Sequence, residues 1–372
     1  MALSSAMPPT NPSQPLMAHD PQKAGRYRLL GRLGAGGQGV VYLGEDPAGT
    51  RVAVKTINAD LVNDPKAKAR FAKEIAAARQ VAPFCTAQVL DADLDGEPPF
   101  VVSEFIEGRT LFQQVRDQGP LPANNLYRLA VGTATALAAI HQAGVVHCDF
   151  KPDNVILGED GPRVIDFGIA RAYGHETMSS GVIGTVPYMA PERFRNVDVG
   201  PACDIFAWAA TIAYAAAARP PFGNDGVAAV MERVMSGSPD LAGLNGPLRD
   251  LVTDCLAKDQ RVRPTAQQVV LRLLAYTGKD PSPTQPMETV LQAGTDAATA
   301  VVPTARAPWG RRLARQLADP RGAALAIFLG AAGTATTYIA STVVTTAAVA
   351  GAATFAVVYA VRAVAAAALV RD

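Results

Sequence analysis

Between two strand-like runs, residues 27–31 and 39–44, lies the turn Gly34-Ala35-Gly36-Gly37-Gln38-Gly39. Glycines let a backbone fold closely over a polyphosphate, because a side chain would block the approach. A dinucleotide-binding turn needs a helix directly after its glycines. Here Val40-Val41-Tyr42-Leu43 continues as a strand, which leaves a phosphate-covering hairpin or an ordinary one. A second apolar strand, Arg51-Val52-Ala53-Val54-Lys55, ends on a cation. A lysine there is ordinarily a solvated edge residue. After a glycine-rich hairpin it becomes a candidate to pair with phosphate. Asn63-Asp64-Pro65 then opens a helix, with a capping side chain and a proline in its first turn. Phe71, Ile75 and Ala78 form its apolar stripe. Glu74 flanks the stripe, either as a solvated charge or as the partner that orients Lys55.

Three further segments carry a dense set of polar groups. They are Val145-Val146-His147-Cys148-Asp149-Phe150-Lys151-Pro152-Asp153-Asn154, Val164-Ile165-Asp166-Phe167-Gly168, and Gly184-Thr185-Val186-Pro187-Tyr188-Met189-Ala190-Pro191-Glu192. With the glycine turn and Lys55, in this order and spacing, the chain resembles the protein kinase family, specifically the eukaryotic-like Ser/Thr kinases of bacteria. The resemblance covers residues 26–277 without a missing block. It implies an α+β, two-lobed protein kinase fold, with a β-rich small lobe, an α-helical large lobe, and ATP with Mg²⁺ between them. The implied reaction moves the γ-phosphate of ATP to Ser or Thr of proteins, this chain included.

Phosphoryl transfer asks little covalent help of a protein; it needs an in-line nucleophile, neutralised charge on the phosphates and exclusion of water. By the resemblance, Asp149 accepts or orients the proton of the substrate hydroxyl, and Lys151 reaches the transferring phosphate. Asn154 and Asp166 supply hard oxygens for Mg²⁺, which prefers them. Lys55, held by Glu74, contacts the α- and β-phosphates, and Gly34, Gly36 and Gly39 cover them. The segment Val101-Val102-Ser103-Glu104-Phe105-Ile106-Glu107-Gly108 resembles the strand that leads into the hinge. Backbone groups of Glu104 and Ile106 would bond the adenine edge, with Leu33, Val41, Ala53 and Ile156 around the ring. Ser103 is a small residue at the gatekeeper position.

One residue departs from the family's pattern. The Arg that usually precedes the catalytic Asp is Cys148, and a thiol cannot supply a guanidinium's fork of donors to an activation-loop phosphate. The expectation is basal activity with little dependence on that phosphate, although Thr177, Ser179, Ser180 and Thr185 remain. Thr185 is expected as a structural contact to Asp149 and Lys151. Asp149 beside Cys148 disfavours a thiolate, so Cys148 reads as a small neutral replacement rather than a redox sensor. The alternative to an active kinase is a nucleotide-binding pseudokinase scaffold.

The elements that must position these residues are also legible. Leu121-Pro122 to Gly144 reads as a long helix with a glycine cap. Asp204 opens the apolar run Ile205-Phe206-Ala207-Trp208 and, by the resemblance, braces the catalytic loop. Arg263 is expected to pair with Glu192.

The whole chain has 372 residues, with 34 basic and 33 acidic side chains. That balance gives no global field for nucleic acid. Cys85, Cys148, Cys203 and Cys255 lie far apart without metal-ligand spacing and read as reduced, cytoplasmic thiols. Residues 1–25 are Pro-rich and read as a disordered arm. Residues 278–320 read as a Pro/Thr-rich linker followed by an Arg-rich flank with Arg306, Arg311, Arg312, Arg315 and Arg321. From Ala323 to Val361 there is no Asp, Glu, Lys, Arg or His. A single helix over that run would measure roughly 58 Å, against a hydrocarbon core of about 30 Å. The expectation for residues 321–372 is a transmembrane segment, either a hairpin near 323–340 and 344–361 or a single pass. The basic flank keeps the kinase domain on the cytoplasmic face of the cell membrane.

Overall fold

Alternation along Arg51-Val52-Ala53-Val54-Lys55 sends Val52 and Val54 to one face of a sheet and Ala53 and Lys55 to the other. In the computed structural model, which describes residues 13–36, 39–58, 64–167, 184–195, 199–276 and 286–299, that division organises the small lobe. Strands β1 (Lys23–Ala24), β2 (Tyr27–Gly36), β3 (Gly39–Glu45) and β4 (Arg51–Thr56) precede helix α1 (Pro65–Ala78). Strands β5 (Val89–Asp93) and β6 (Phe100–Glu104) complete an antiparallel sheet of order β1-β2-β3-β4-β6-β5. One face buries Tyr27, Leu29, Tyr42, Val52, Val54, Phe100 and Val102 together. The register Val41↔Lys55 and Leu43↔Ala53 puts Val41, Ala53 and Lys55 on the opposite face, which looks into the cleft.

Helix α1 starts as its sequence dictates. Asp64 accepts hydrogen bonds from the N–H groups of Lys66 and Ala67, both 3.1 Å, with Pro65 in the first turn. Its stripe, Phe71 and Ile75, packs with Ile57 and Val101 under the sheet.

The large lobe follows. A short β7 (Arg109–Thr110) leads into α2 (Leu111–Gln118) and α3 (Ala123–Gln142). A 3₁₀ turn (Pro152–Asn154) connects to β8 (Val155–Gly158) and β9 (Gly161–Val164). Then come α4 (Pro191–Arg195), α5 (Pro201–Ala217), α6 (Val227–Ser236), α7 (Gly246–Cys255) and α8 (Ala266–Ala275). Helix α5 is apolar all round and correspondingly central; Ile205, Phe206, Trp208 and Ile212 are buried in it. The Trp208 indole donates to Thr133 Oγ1 of α3 at 2.9 Å, so the one polar atom of that large side chain is satisfied inside the core.

Two segments depart from the sequence reading. Residues 13–25 are not a disordered arm. Gln14 and Arg32 exchange both backbone hydrogen bonds (2.8 and 2.7 Å), and β1 pairs with β2. Asp20 is buried, accepts from Arg32 Nε at 2.6 Å and from the Tyr42 hydroxyl at 2.8 Å. The Arg32 hydrogen bonds hold the Asp20 carboxyl well below the usual carboxylate range. Composition argued for disorder, but one ion pair and one sheet edge order the segment.

The second departure lies in the stretch read as a linker. Residues Met287–Thr299 form a helix, α9, packed on α3. Val290, Leu291, Gly294 and Ala298 are buried at helical spacing. Gly294 lies so close to α3 that a Cβ there would sit 2.1 Å from Thr135 Oγ1. Arg128 Nε donates to the Ala298 carbonyl at 2.8 Å. Gly294 gives this helix a close approach, and Val290 and Leu291 join the core of the large lobe. The rest of the linker, the basic flank and the apolar run 323–361 lie outside the described residues. Among the described residues no helix is long and apolar enough to cross a membrane.

Candidate active site

The site is built on a buried carboxylate. Asp204, on α5, is 1% exposed. Its Oδ2 takes the His147 N–H at 2.8 Å and lies 2.8 Å from His141 Nε2; its Oδ1 takes the Cys148 N–H at 2.8 Å. Burial pushes this carboxyl up, but the His141 hydrogen bond and the surrounding donors outweigh it and hold it below the usual range. The loop that precedes the candidate catalytic residues is therefore fastened through its backbone to the core helix.

His147 locks the same loop from the other side. Its ring Nδ1 receives the Asp149 N–H at 3.3 Å, which leaves the proton on Nε2, 3.1 Å from the Ile165 carbonyl. The ring is fully buried and meets Phe150 edge-on at 5.5 Å. Burial pushes its pKa down, so the imidazole is a neutral spacer between the loop and the strand-end that carries Asp166.

From this frame the reactive groups converge. Lys151 Nζ lies 2.9 Å from Asp149 Oδ2 and donates to Thr185 Oγ1 at 3.0 Å. Asn154 Nδ2 donates to the Asp149 carbonyl at 2.7 Å and to its Oδ2 at 3.3 Å. With Nδ2 so committed, Asn154 Oδ1 is the atom left for a cation. Asp166 has a left-handed backbone, φ 60°, and its Oδ2 lies 3.4 Å from Lys55 Nζ. Two hard oxygens, from Asn154 and Asp166, suit an ion that takes the rest of its shell from phosphate and water, which is the habit of Mg²⁺. Among the described residues no group of three or more His, Cys, Asp or Glu gathers that would hold an ion by itself.

The residues expected around the nucleotide come from both lobes. Val41 and Ala53 share the cleft face of the sheet with Lys55. Ile106 and Ile156 are buried together with Ala87. Leu33 is half-buried on β2, and Glu104 ends β6, its N–H donating to the Gln88 carbonyl at 2.9 Å. The glycines divide in role. A Cβ on Gly39 (φ +133°) would lie 2.0 Å from the Thr56 carbonyl, so that glycine is required by the hairpin itself. Gly34 has nothing within 4 Å of a would-be Cβ, so it faces open space. Gly36 pairs with Gly39 at the hairpin end. Gly37, Gln38 and Gly168 lie outside the described residues, as do Thr177, Ser179 and Ser180.

Lys55 is ion-paired with Asp166 at 3.4 Å. Glu74, half-buried on α1, lines a cavity of about 470 Å³ with Lys66, Arg70, Lys73 and residues 144–146.

The fold supports behave as expected. Arg263, buried, grips Glu192 with two bonds of 2.6 and 2.9 Å and also donates to the Ala257 and Ala202 carbonyls. Sequence reasoning missed His141, whose contact with Asp204 depends on a helix end meeting a helix start. It also missed Arg193, whose Nη1 donates to the Cys148 carbonyl.

Comparison with known proteins agrees with this geometry. The protein kinase domain family matches residues 27–273. A probable serine/threonine-protein kinase, PkwA of Thermomonospora curvata, is 44% identical over 270 residues, spanning 72% of this chain and 36% of that protein. The serine/threonine-protein kinase AfsK of Streptomyces griseus is 40% identical over 316 residues, spanning 82% of this chain and 38% of that protein. The chain thus spans little more than a third of the length of these relatives. The kinase domain of Mycobacterium tuberculosis PknI superposes with a TM-score of 0.56 at 22% identity, over 69% of this chain and 97% of that one, a likeness of fold.

The neutral His147 makes stability depend on pH. Its folded pKa lies below the unfolded value, so the unfolded chain binds the proton more readily. Stability is therefore lost as pH falls below the unfolded histidine value of about 6.5. Urea unfolding at pH 7.5 and 5.5 should give a smaller loss on acidification for His147→Asn than for wild type; equal losses would contradict a buried neutral ring.

Proposed function

We propose that this chain, which belongs to the protein kinase family, transfers the γ-phosphate of ATP to serine and threonine hydroxyls of proteins. The observation that carries the proposal is the meeting of Lys55, from the small lobe, with Asp166, from the large lobe, at 3.4 Å. Asp166 adjoins the loop presenting Asp149, Lys151 and Asn154, the Ile165 N–H donating to the Asn154 carbonyl at 3.0 Å. Its relatives' names, serine/threonine-protein kinases, support the acceptor class.

Asp149 orients the acceptor hydroxyl and takes its proton as the new oxygen–phosphorus bond forms and the γ-phosphorus bond to the β–γ bridging oxygen breaks, ADP leaving with that electron pair. Lys151, ion-paired to Asp149, sits where charge accumulates on the transferring group and offsets it. Thr185 fixes that lysine. Asn154 fixes Asp149 from its carbonyl and its carboxylate. Lys55 binds phosphate oxygens and the β2–β3 hairpin covers them. Val41, Ala53, Leu33 and Ile156 exclude water from the base, and backbone groups of Glu104 and Ile106 bond its edge. Asn154 and Asp166 would hold Mg²⁺, which supplies positive charge to the phosphates when bound.

The test is transfer of labelled phosphate from ATP by the full chain, wild type beside Asp149→Asn. Ser or Thr labelling by wild type, a loss of at least two orders of magnitude in the variant and unchanged ATP binding are expected. ATP binding without transfer by wild type would favour a pseudokinase scaffold, the reading that Cys148 in place of the usual Arg keeps open.

We also propose that the chain is tethered to the cell membrane with its kinase domain in the cytoplasm. The support is the run Ala323–Val361, free of charged residues, and the arginines that precede it. Retention of the full chain in membranes through an alkaline carbonate wash is expected; release would count against it.

A further inference from the structure

The residue before the candidate catalytic base is held in an unusual conformation. Cys148 has φ 63°, a left-handed backbone that residues with a Cβ adopt only when their surroundings impose it. Two groups impose it here. Asp204 Oδ1 takes the Cys148 N–H at 2.8 Å, and the guanidinium of Arg193 donates to the Cys148 carbonyl. The side chain itself is buried and makes no fork of donors. The peptide that delivers Asp149 is thus gripped at both ends, by an anion at its N–H and a cation at its carbonyl.

We propose that Arg193 is a positioning residue for Asp149. It supplies, from α4 and without a phosphate, the link between the end of the activation segment and the catalytic loop that a side chain at position 148 does not provide. The geometry fits the role. Arg193 follows Glu192, which Arg263 anchors by two hydrogen bonds in the core, so the guanidinium projects from a fixed base. Arg193 is itself partly buried, against the loop rather than free in solvent. A hydrogen bond from a charged donor is the strong kind, and a carbonyl buried without it is left unsatisfied. Loss of the bond frees the left-handed peptide to relax, and Asp149 moves with it away from Lys151 and Asn154. The direction of the link is the reverse of an arginine on the catalytic loop reaching out to a modified segment: here the segment's own cation reaches in to the loop's backbone. Its consequence is catalysis that does not wait for phosphorylation.

The inference rests on the assignment of Asp149 above, and the experiment separates the two. Turnover of the full chain would be followed with dephosphorylated casein and labelled ATP for wild type, Arg193→Leu, Arg193→Lys, Arg195→Gln and Asp149→Asn. Arg195, exposed on the same helix, is the control. Arg193→Leu should lower kcat at least tenfold with KM for ATP within twofold of wild type. Arg193→Lys should recover most of the rate, Arg195→Gln should match wild type, and phosphatase treatment should leave wild-type kcat unchanged. A wild-type kcat in Arg193→Leu, with Asp149→Asn inactive, would overturn this inference alone. Equal loss in the Leu and Lys variants together with lost ATP binding would make Arg193 a fold support and also overturn it. Full turnover by Asp149→Asn would remove the assignment of Asp149 and this inference with it.

Discussion

A single carboxylate, that of Asp204, organises the catalytic half of this molecule. It sits in an apolar helix where water does not reach it, and it stays charged because His141, His147 and Cys148 all turn donors toward it. An unpartnered charge there would be very costly; a satisfied one is stiff. Its folded pKa is depressed, so its contribution to stability is complete above the ordinary carboxylate value and is lost as pH falls through the lower folded one. Because two of its donors are backbone N–H groups of the loop leading to Asp149, the position of α5 becomes the position of the reactive groups. His147 extends this frame to the end of β9 and hence to Asp166.

The remaining contacts serve this frame from its margins. Thr185 and Arg193 approach from the segment after the loop, the first through Lys151 and the second through the Cys148 carbonyl. Glu192 and Arg263 fix that segment to the large lobe. Lys55 reaches across from the sheet to Asp166. The small lobe turns Val41, Ala53 and Lys55 to one face, while its other face is closed by an apolar core and by the Asp20–Arg32–Tyr42 cluster. Among the described residues, the groups at the cleft are held by contacts between helices, strands and the loop that carries Asp149.

How much of this the sequence disclosed varied with the kind of residue. Asp149, Lys151, Asn154 and Asp166 were named from the family resemblance; the structure joins Asp149, Lys151 and Asn154 on one loop and sets Asp166 just beyond β9. The Glu192–Arg263 pair and the Lys151–Thr185 contact followed from the family resemblance. What failed was set by packing between segments distant in sequence. Residues 13–25 of the Pro-rich arm were ordered by the Asp20–Arg32 ion pair and by pairing to the edge of β2. Helix α9 hid in a stretch rich in Thr, Ala and Gln, where Val290 and Leu291 are its only large buried apolar residues and Gly294 and Ala298 complete its contact surface. Arg193 carried no signal at all until the carbonyl it serves was located.

The most direct test of this account is the Asp204→Asn variant of the full chain, with urea unfolding, ATP binding and phosphate transfer measured beside wild type. The amide keeps the shape of the side chain but replaces an acceptor by a donor facing N–H groups. The account predicts a stability loss of about 1–3 kcal/mol, ATP binding retained, and transfer reduced at least tenfold. Wild-type stability and transfer in that variant would contradict it, because the loop carrying Asp149 would then be held by something other than this carboxylate.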